Sequence, residues 1–491
     1  MIKIKIIDSD NIKILKTEAG QSLLNILRGN GYNIYAPCGG KGKCGKCMVN
    51  VSGEGNMMSC SYYPDNNIEV ILPTKDGGNI LISQTEFLEN ISFKNNDNHV
   101  SLRPYGAAID VGTTTVVIYF LNLLTGRIEK IASFLNPQNI FGGDVISRIN
   151  YCQEHQNGLK ELQQVIINAI NDELDKFIEK AKIIHEDFEK IVIVGNTTML
   201  HLILGEDPVS IALAPFTPKF TAMQKKEGHS TGLSVNPGAE VITLPCISAY
   251  VGADIVAGLS VIKPLYKNYL FLDIGTNGEM ALVKGEKIFT CATAAGPAFE
   301  GACLSCGMGA VNGAISSFTG PDKYQVIGNS ESLGICGSGI VDIVAYMLLH
   351  GLIDNSGLLK ETFIIHPKQK IEVIQQDIRE IQLAKSAIFS GIRTLLKAAQ
   401  MTFNDIDALY LAGGFGNYIN ISSAIQIGLL PDELRNRIYP VGNSAGIGAL
   451  QYLKSDEFEE KVIITLKKSV YIELSDSDEF TVEFVMNMNF P

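Results

Sequence analysis

The sequence predicts an α/β multidomain protein with a small N-terminal β-grasp domain followed by a two-lobed α/β core. Three observations predict it. Short β-type runs surround one helical stretch in the first 73 residues, and strands alternate with helices from Tyr105 onward. In addition, Ala107-Ala108-Ile109-Asp110-Val111-Gly112-Thr113-Thr114-Thr115 recurs as Leu270-Phe271-Leu272-Asp273-Ile274-Gly275-Thr276-Asn277-Gly278-Glu279. A recurring strand-and-turn of this kind marks two similar half-domains. At 491 residues the chain exceeds one hydrophobic core, and roughly 150 residues per unit gives about three units.

The first unit, residues 1–73, is built from the runs Ile2 to Ile7, Ile12 to Leu15, Met48 to Val51 and Ile68 to Leu72, with a helix near Ser22 to Arg28. Residues 74–104 are polar, with Asp76-Gly77-Gly78 and Asn95-Asn96-Asp97-Asn98, and read as a linker. A first lobe is expected over 105–266, and a second lobe with a C-terminal extension over 267–491. Leu162, Val165, Ile166, Ile170, Leu174, Phe177 and Ile178 recur at helical spacing, which predicts an amphipathic helix over about 160–183. Ile191 to Val194, Tyr269 to Leu272 and Leu409 to Ala412 are apolar and run into glycine-rich sequence, the pattern of buried strands that deliver loops to a site.

Composition narrows the function classes. The charge of −12 is spread along the chain without a Lys/Arg block, so a nucleic-acid partner is not expected. No apolar run reaches 18 residues, and Met1 to Ile6 alternates charged with apolar side chains, so a cytoplasmic protein without a membrane partner is expected. Four of the ten cysteines crowd into residues 38–60, which speaks for metal rather than disulfides.

Cys38, Cys44, Cys47 and Cys60 follow the spacing C-x5-C-x2-C-x12-C. Plant-type [2Fe-2S] loops use C-x4-C-x2-C and a more distant fourth cysteine. Gly39, Gly40, Gly42 and Gly45 let the loop wrap an inorganic core. A structural zinc site is the competing reading, although zinc ribbons pair two C-x2-C knuckles and this segment has one.

A strand ending in Asp-x-Gly-Thr sets a carboxylate beside a tight turn whose amides and hydroxyls can face phosphate, with the carboxylate available for hydrated Mg²⁺. Asp110 and Asp273 are therefore the candidate catalytic carboxylates. Gly112, Thr113, Thr114 and Thr115 form one candidate phosphate turn, and Gly275, Thr276, Asn277, Gly278 and Glu279 the other. A further strand ends in Ala412-Gly413-Gly414-Phe415-Gly416. Together these match the arrangement of the actin, hsp70 and sugar-kinase superfamily, whose RNase H-like lobes grip ATP from two sides with the late Gly-Gly loop beside the adenosine. A glycine-rich packing turn is the bland reading of each motif alone. Gly195, Asn196 and Thr197 are a third candidate turn, and Asp254 is a candidate to orient water, in competition with a surface or capping role.

With CGGKGKCGKC, DVGTTTV, LNPQ, GGDVISRI, VGNTTMLHL, DIGTNGEM, CATAAGPAFEGA, ICGSGIVD, LAGGFGNYI and VGNSAGIGA in this order, the chain resembles the reductive activators of corrinoid-dependent methyltransferases. These are iron–sulfur ATPases with an N-terminal [2Fe-2S] ferredoxin domain. The resemblance implies ATP and Mg²⁺ as further cofactors, adds Gly337 and Ser338 to the nucleotide residues, and carries the four cluster ligands onto Cys38, Cys44, Cys47 and Cys60. It implies ATP-dependent reduction of a corrinoid protein from Co(II) to Co(I), a low-potential electron donor, and a homodimer. A plant-type cluster near about −400 mV delivers that electron uphill, so ATP must act through a state it binds preferentially.

One departure is that the insertion between Cys47 and Cys60 is short for the family. Residues 455–491 hold no cysteine, unlike the branch with C-terminal [4Fe-4S] sites. Cys303 and Cys306 form a second C-x2-C, which is read as core packing. The rival is a [4Fe-4S] site as in activators of acyl-CoA dehydratases. A nucleotide-binding redox sensor and a small-molecule kinase fused to a ferredoxin domain also compete with the activator function. The linker is expected to let the ferredoxin domain swing between donor and acceptor.

Overall fold

A computed structural model describes the chain except residues 9–10, 19, 31, 33, 35, 37–39, 41–46, 73–85, 90–91, 95–98 and 476. In the N-terminal unit, Ile2–Asp8 (β1) pairs antiparallel with Asn11–Thr17 (β2). Met48–Val51 (β3), Gly55–Met58 (β4) and Ile68–Ile71 (β5) complete a five-stranded sheet of order β2-β1-β5-β3-β4 with β1 and β5 parallel. Ile2, Ile4 and Ile6 alternate inward, as a half-buried strand requires, and meet Leu23, Leu24, Ile26 and Leu27 of the helix Leu23–Gly29. Ser22 caps that helix through the Asn25 N–H.

β4 was not legible in the sequence, because Gly-Asn-Met-Met shows no alternation. It forms because Gly53 and Gly55 (φ +86° each) turn the chain back on β3. The hairpin register places Met48 opposite Met58, so the short insertion still returns Cys60 to the neighbourhood of Cys47.

The two lobes repeat one plan. In the first, Tyr105–Val111 (β6), Thr115–Asn122 (β7) and Ile128–Leu135 (β8) form an antiparallel meander. Phe188–Gly195 (β9) lies parallel to β6, followed by Glu240–Thr243 (β11) and the edge strand Gln224–Glu227 (β10), in the order β10-β11-β9-β6-β7-β8. In the second, Asn268–Ile274 (β12), Gly278–Lys284 (β13) and Lys287–Thr293 (β14) form the meander. Ala314–Gly320 (β15), Lys323–Val326 (β16) and Gly334–Ile335 (β17) make a small sheet, and Phe363–His366 (β18) and Ile371–Val373 (β19) a hairpin. Ala408–Ala412 (β20), Ile438–Gly442 (β21) and Ser469–Tyr471 (β22) complete the order β21-β20-β12-β13-β14-β22. The repeated segment noted in the sequence falls on β6 turning into β7 and on β12 turning into β13, the same place in both lobes.

Helix Gly158–Ala181 buries Leu162, Ile166, Ile170, Leu174 and Phe177, and Lys182 ends it in the left-handed region at φ 54°. Helix Ala253–Ser260 packs against helix Ser444–Lys454, where a Cβ on Gly448 would stand 2.4 Å from the Ala257 carbonyl oxygen. Ser444–Lys454 follows a second-lobe strand yet packs on β6 and β9, so this helix pair is the seam on which the lobes meet. Among the described residues no helix is long and apolar enough to cross a membrane.

Part of the segment expected to be a linker is packed on the core. Phe87 packs against Tyr410 and Tyr439, with ring centroids 5.6 and 4.5 Å away. Leu88 is buried and bridges to Ile262, and the Glu89 N–H donates to the Val261 carbonyl at 2.8 Å. Farther on, Glu189 accepts from the Ser101 N–H and contacts His99. Two apolar side chains inside a polar stretch are enough to pin residues 86–89 to the core.

Candidate functional site

β6 and β12 end facing one another across the cleft, each delivering an aspartate and a tight turn. The Gly112 N–H donates to the Thr115 carbonyl at 3.0 Å, and the Gly275 N–H to the Asn277 carbonyl at 3.0 Å. A Cβ on Gly112 would lie 2.6 Å from the Thr115 carbonyl oxygen, so only glycine closes this turn. Gly195 presses on the Val111 carbonyl. Asn196 caps helix Thr197–Leu204 and donates from Nδ2 to Thr113 Oγ1 at 3.0 Å. Thr197 is fully buried and its hydroxyl donates to the Ser248 carbonyl at 2.7 Å, so within this site it supports the fold of the turn.

On the other flank β20 runs straight into helix Gly413–Tyr418. Gly413 (φ +77°) leaves room for Asp273, whose Oδ1 would stand 2.4 Å from an added Cβ, while Gly414 faces open space. Phe415 stacks on Phe299 at 4.8 Å. Gly337 opens helix Gly337–Leu349 against the Phe299 carbonyl, and Ser338 donates to the Ser316 carbonyl at 2.7 Å. Gly337, Ser338, Gly413, Gly414 and Phe415 therefore meet on one side of the cleft, beside Asp273.

The carboxylates dominate the electrostatics. Burial, then the charge of Asp273, pushes Asp110 up to about 7, against a hydrogen bond from Asn443. Burial, Asp273 and Asp110 push Asp254 up to about 8, and burial with Glu300 pushes Asp273 up to about 6. Glu279 is held well above the carboxylate range by burial and by Asp254 and Asp273, and its buried Oε1 has no hydrogen-bond partner among the described residues. Asp254 is thus a partly buried member of this cluster, and its Oδ1 accepts the Ile255 N–H of its own helix at 2.8 Å, as the capping reading expects.

This donor set fits a divalent cation with its water shell. Several carboxylates repel each other around one space, yet among the described residues no three acidic, His or Cys side chains close directly on one ion. Mg²⁺ commonly keeps several waters and takes one or two carboxylates together with phosphate oxygens.

Two residues that local sequence did not single out complete the site. Arg148, fully buried on helix Val145–Glu154, donates to the Thr113 and Gly142 carbonyls and to Gln138 and Asn139. Asn136 ties down the same turn, donating to the Gly112 carbonyl at 2.8 Å. Arg148→Met should leave these carbonyls unpaired and cost about 3–5 kcal/mol. The melting temperature should drop by several degrees and the KM for ATP should rise, and an unchanged melting temperature would contradict this support role. The second residue, Glu300, ends the turn Pro297–Glu300. Its carboxylate accepts from the Thr276 hydroxyl of the same lobe, and burial pushes it above the ordinary carboxylate value.

In the N-terminal unit Cys47 and Cys60 are buried in one core, and Ser59 donates from both N and Oγ to the Cys47 carbonyl at 2.9 and 2.8 Å. Gly40 (φ +82°) passes close by, its Cβ position 3.7 Å from Cys60 Cβ. Cys38 and Cys44 lie outside the described residues. In the second C-x2-C, on the loop after Glu300, Cys306 packs against the second-lobe core as expected, whereas Cys303 is exposed. Cys246, Cys291 and Cys336 are buried, and His201 is a core residue stacked on Phe220 at 4.1 Å.

Comparison with known proteins agrees along the chain. Residues 105–267 match the model of the RACo middle region, and residues 267–491 the model of the C-terminal domain of RACo, the ASKHA domain. The corrinoid activation enzyme RamQ of Eubacterium limosum is 31% identical, over 92% of this chain and 93% of its own. The [Co(II) methylated amine-specific corrinoid protein] reductase of Methanosarcina barkeri is 24% identical over 79% and 77%. The solved structure of a reductive activator for corrinoid, iron-sulfur protein superposes with a TM-score of 0.72 at 28% identity, over 100% of this chain and 98% of that one. The chain belongs to the RACo family of corrinoid activation enzymes.

Proposed function

We propose that this protein uses ATP to return an oxidised corrinoid protein from Co(II) to Co(I), passing the electron through a [2Fe-2S] cluster in its N-terminal ferredoxin-like domain. The observation that carries the reading is the pair of turns at Asp110 and Asp273 facing across one cleft, in a chain whose full-length relatives are corrinoid activation enzymes. The amides and hydroxyls at 112–115 and 275–278 bind the phosphates from opposite lobes. Asp110 and Asp273 are the carboxylates that would hold Mg²⁺, which would supply positive charge against the phosphates. The Gly413-Gly414 and Gly337-Ser338 segments border the adenosine, with Phe415 fixed by Phe299. Asp254 spends Oδ1 on its own helix, which leaves Oδ2 to orient the attacking water and take its proton.

Cys47 and Cys60, brought together by the β3–β4 hairpin, supply half of the thiolate set, and Cys38 and Cys44 the other half. A bound [2Fe-2S] cluster provides one-electron transfer, filled by a low-potential donor. ATP contributes through differential affinity, with lobe closure along the helix pair Ala253–Ser260 and Ser444–Lys454 favouring one corrinoid-protein state.

The test mixes the reduced protein anaerobically with a Co(II) corrinoid protein, with and without MgATP, and follows the Co(I) visible spectrum. Co(I) should form only with MgATP. Equal Co(I) formation without nucleotide would remove the role given to the cleft.

A further inference from the structure

Residues 86–89 hold both lobes at once, on the side away from the cleft. Leu88 bridges antiparallel to Ile262, with the Glu89 N–H donating to the Val261 carbonyl at 2.8 Å and the Lys263 N–H to the Phe87 carbonyl at 2.9 Å. Val261 to Lys263 follow directly on helix Ala253–Ser260 of the first lobe. The half-buried Phe87 ring lies instead against the second lobe, 4.5 Å from Tyr439 on β21 and 5.6 Å from Tyr410 on β20. Tyr410 and Tyr439 are paired across those strands, and Tyr269 on β12 lies 5.3 Å from Tyr410. Phe87 therefore has its main chain bonded to one lobe and its side chain seated on the other.

The same elements reach the cleft at their other ends. Helix Ala253–Ser260 carries Asp254 in its first turn, while β12 and β20 run from Tyr269 and Tyr410 to Asp273 and into Gly413. Tyr410 precedes Gly413 by three residues, about 10 Å at the rise of a strand. The lobes pack along helices Ala253–Ser260 and Ser444–Lys454. A rotation about that seam that brings the cleft ends together carries the far ends apart. We propose that Phe87 is a positioning residue wedged between the lobes behind the cleft, and that closure on ATP, but not binding of ADP, unseats it and loosens the segment that continues to the N-terminal unit. This role rests on the reading of the cleft as a nucleotide site. ADP lacks the terminal phosphate and gives the two turns less to close on. The coupling runs both ways, so a nucleotide that unseats Phe87 binds more tightly where Phe87 has no seat to lose.

The test uses the full chain with MgADP and with a Mg-bound ATP analogue whose terminal linkage is uncleavable. Hydrogen exchange is followed at the Glu89 and Lys263 amides, which make the bridge, and dissociation constants are measured in the wild type, Phe87→Leu and Phe87→Ala. In the wild type both amides should exchange about fivefold or more faster with the analogue than with ADP. Phe87→Ala should bind the analogue about fivefold or more tightly, with ADP affinity changed by less than about twofold, and Phe87→Leu should fall between. A ring that only fills space would lower the melting temperature in both variants and leave the ratio of the two affinities as in the wild type. If that ratio does not move, or if the bridge amides exchange equally or more slowly with the analogue, the wedge is wrong and the nucleotide cleft stands. If the wild type binds neither nucleotide, both readings fall. Should Phe87→Ala not fold, Phe87→Leu decides, since its affinity for the analogue must rise with ADP unchanged.

Discussion

Asp110→Asn is expected to abolish ATP hydrolysis and, at the same time, to raise the melting temperature of the protein measured without Mg²⁺ or nucleotide at pH 8. The two effects share one cause. Asp110 is partly buried beside Asp273, and Asp254 stands in the field of both. Losing a carboxylate that holds the waters of Mg²⁺ removes charge stabilisation where phosphate charge develops, worth about 10²–10³ in kcat. Removing one of several crowded carboxylates also relieves repulsion in the folded state. The pH dependence has a definite sign. In the unfolded chain these groups ionise near the ordinary value of about 4, whereas in the fold Asp273, Asp110 and Asp254 are raised to about 6, 7 and 8. The folded state therefore binds the extra protons. The associated stability is fully present below pH 4 and is lost as pH rises through about 6 to 8. Without Mg²⁺ the melting temperature should decline between pH 6 and 8.5, with a shallower decline in Asp110→Asn, and MgATP should largely suppress it in the wild type. A melting temperature flat across that range would show that these carboxylates do not repel as described.

Cys47→Ser should remove the iron and the visible chromophore of the purified protein and stop Co(I) formation, while ATP hydrolysis persists. Cys47 follows a glycine-rich loop and is buried with Cys60 in the N-terminal core, far along the chain from the cleft turns. Serine cannot offer a thiolate, so a four-cysteine set loses a quarter of its soft ligands. Cys60→Ser tests the fourth ligand in the same way. If Cys60→Ser keeps full iron content, the fourth ligand lies elsewhere, and if the wild type carries zinc in place of iron, the competing reading of the spacing gains. Circular dichroism distinguishes ligand loss from collapse of the domain.

The phosphate turns were legible because a buried apolar strand, an aspartate and a Gly-Thr turn are contiguous in sequence. The first N-terminal strands were legible for the same reason, since Ile2, Ile4 and Ile6 alternate locally. What sequence did not disclose depends on distant partners. Arg148 lies inside a run that the resemblance marks, yet nothing local says that its guanidinium reaches the Thr113 carbonyl. Glu300 becomes informative only when Thr276, 24 residues away, is brought against it. β4 owes its strand to two glycine turns and a partner, not to its own residues. Phe87 and Leu88 were masked by polar neighbours, and the tyrosines and Ile262 that receive them lie far away in sequence. The core reading of Cys303 failed because glycine- and alanine-rich sequence there makes a surface loop between close backbone approaches at Gly301 and Gly307.

ATP acts, in this mechanism, by changing how the activator grips its partner. The deciding measurement is the affinity of the full chain for a Co(II) corrinoid protein in three states: without nucleotide, with MgADP and with the uncleavable ATP analogue. The mechanism predicts an affinity in the analogue state that differs from the other two by about fivefold or more. Equal affinity in all three states would contradict it, because a nucleotide without differential binding cannot drive the electron uphill.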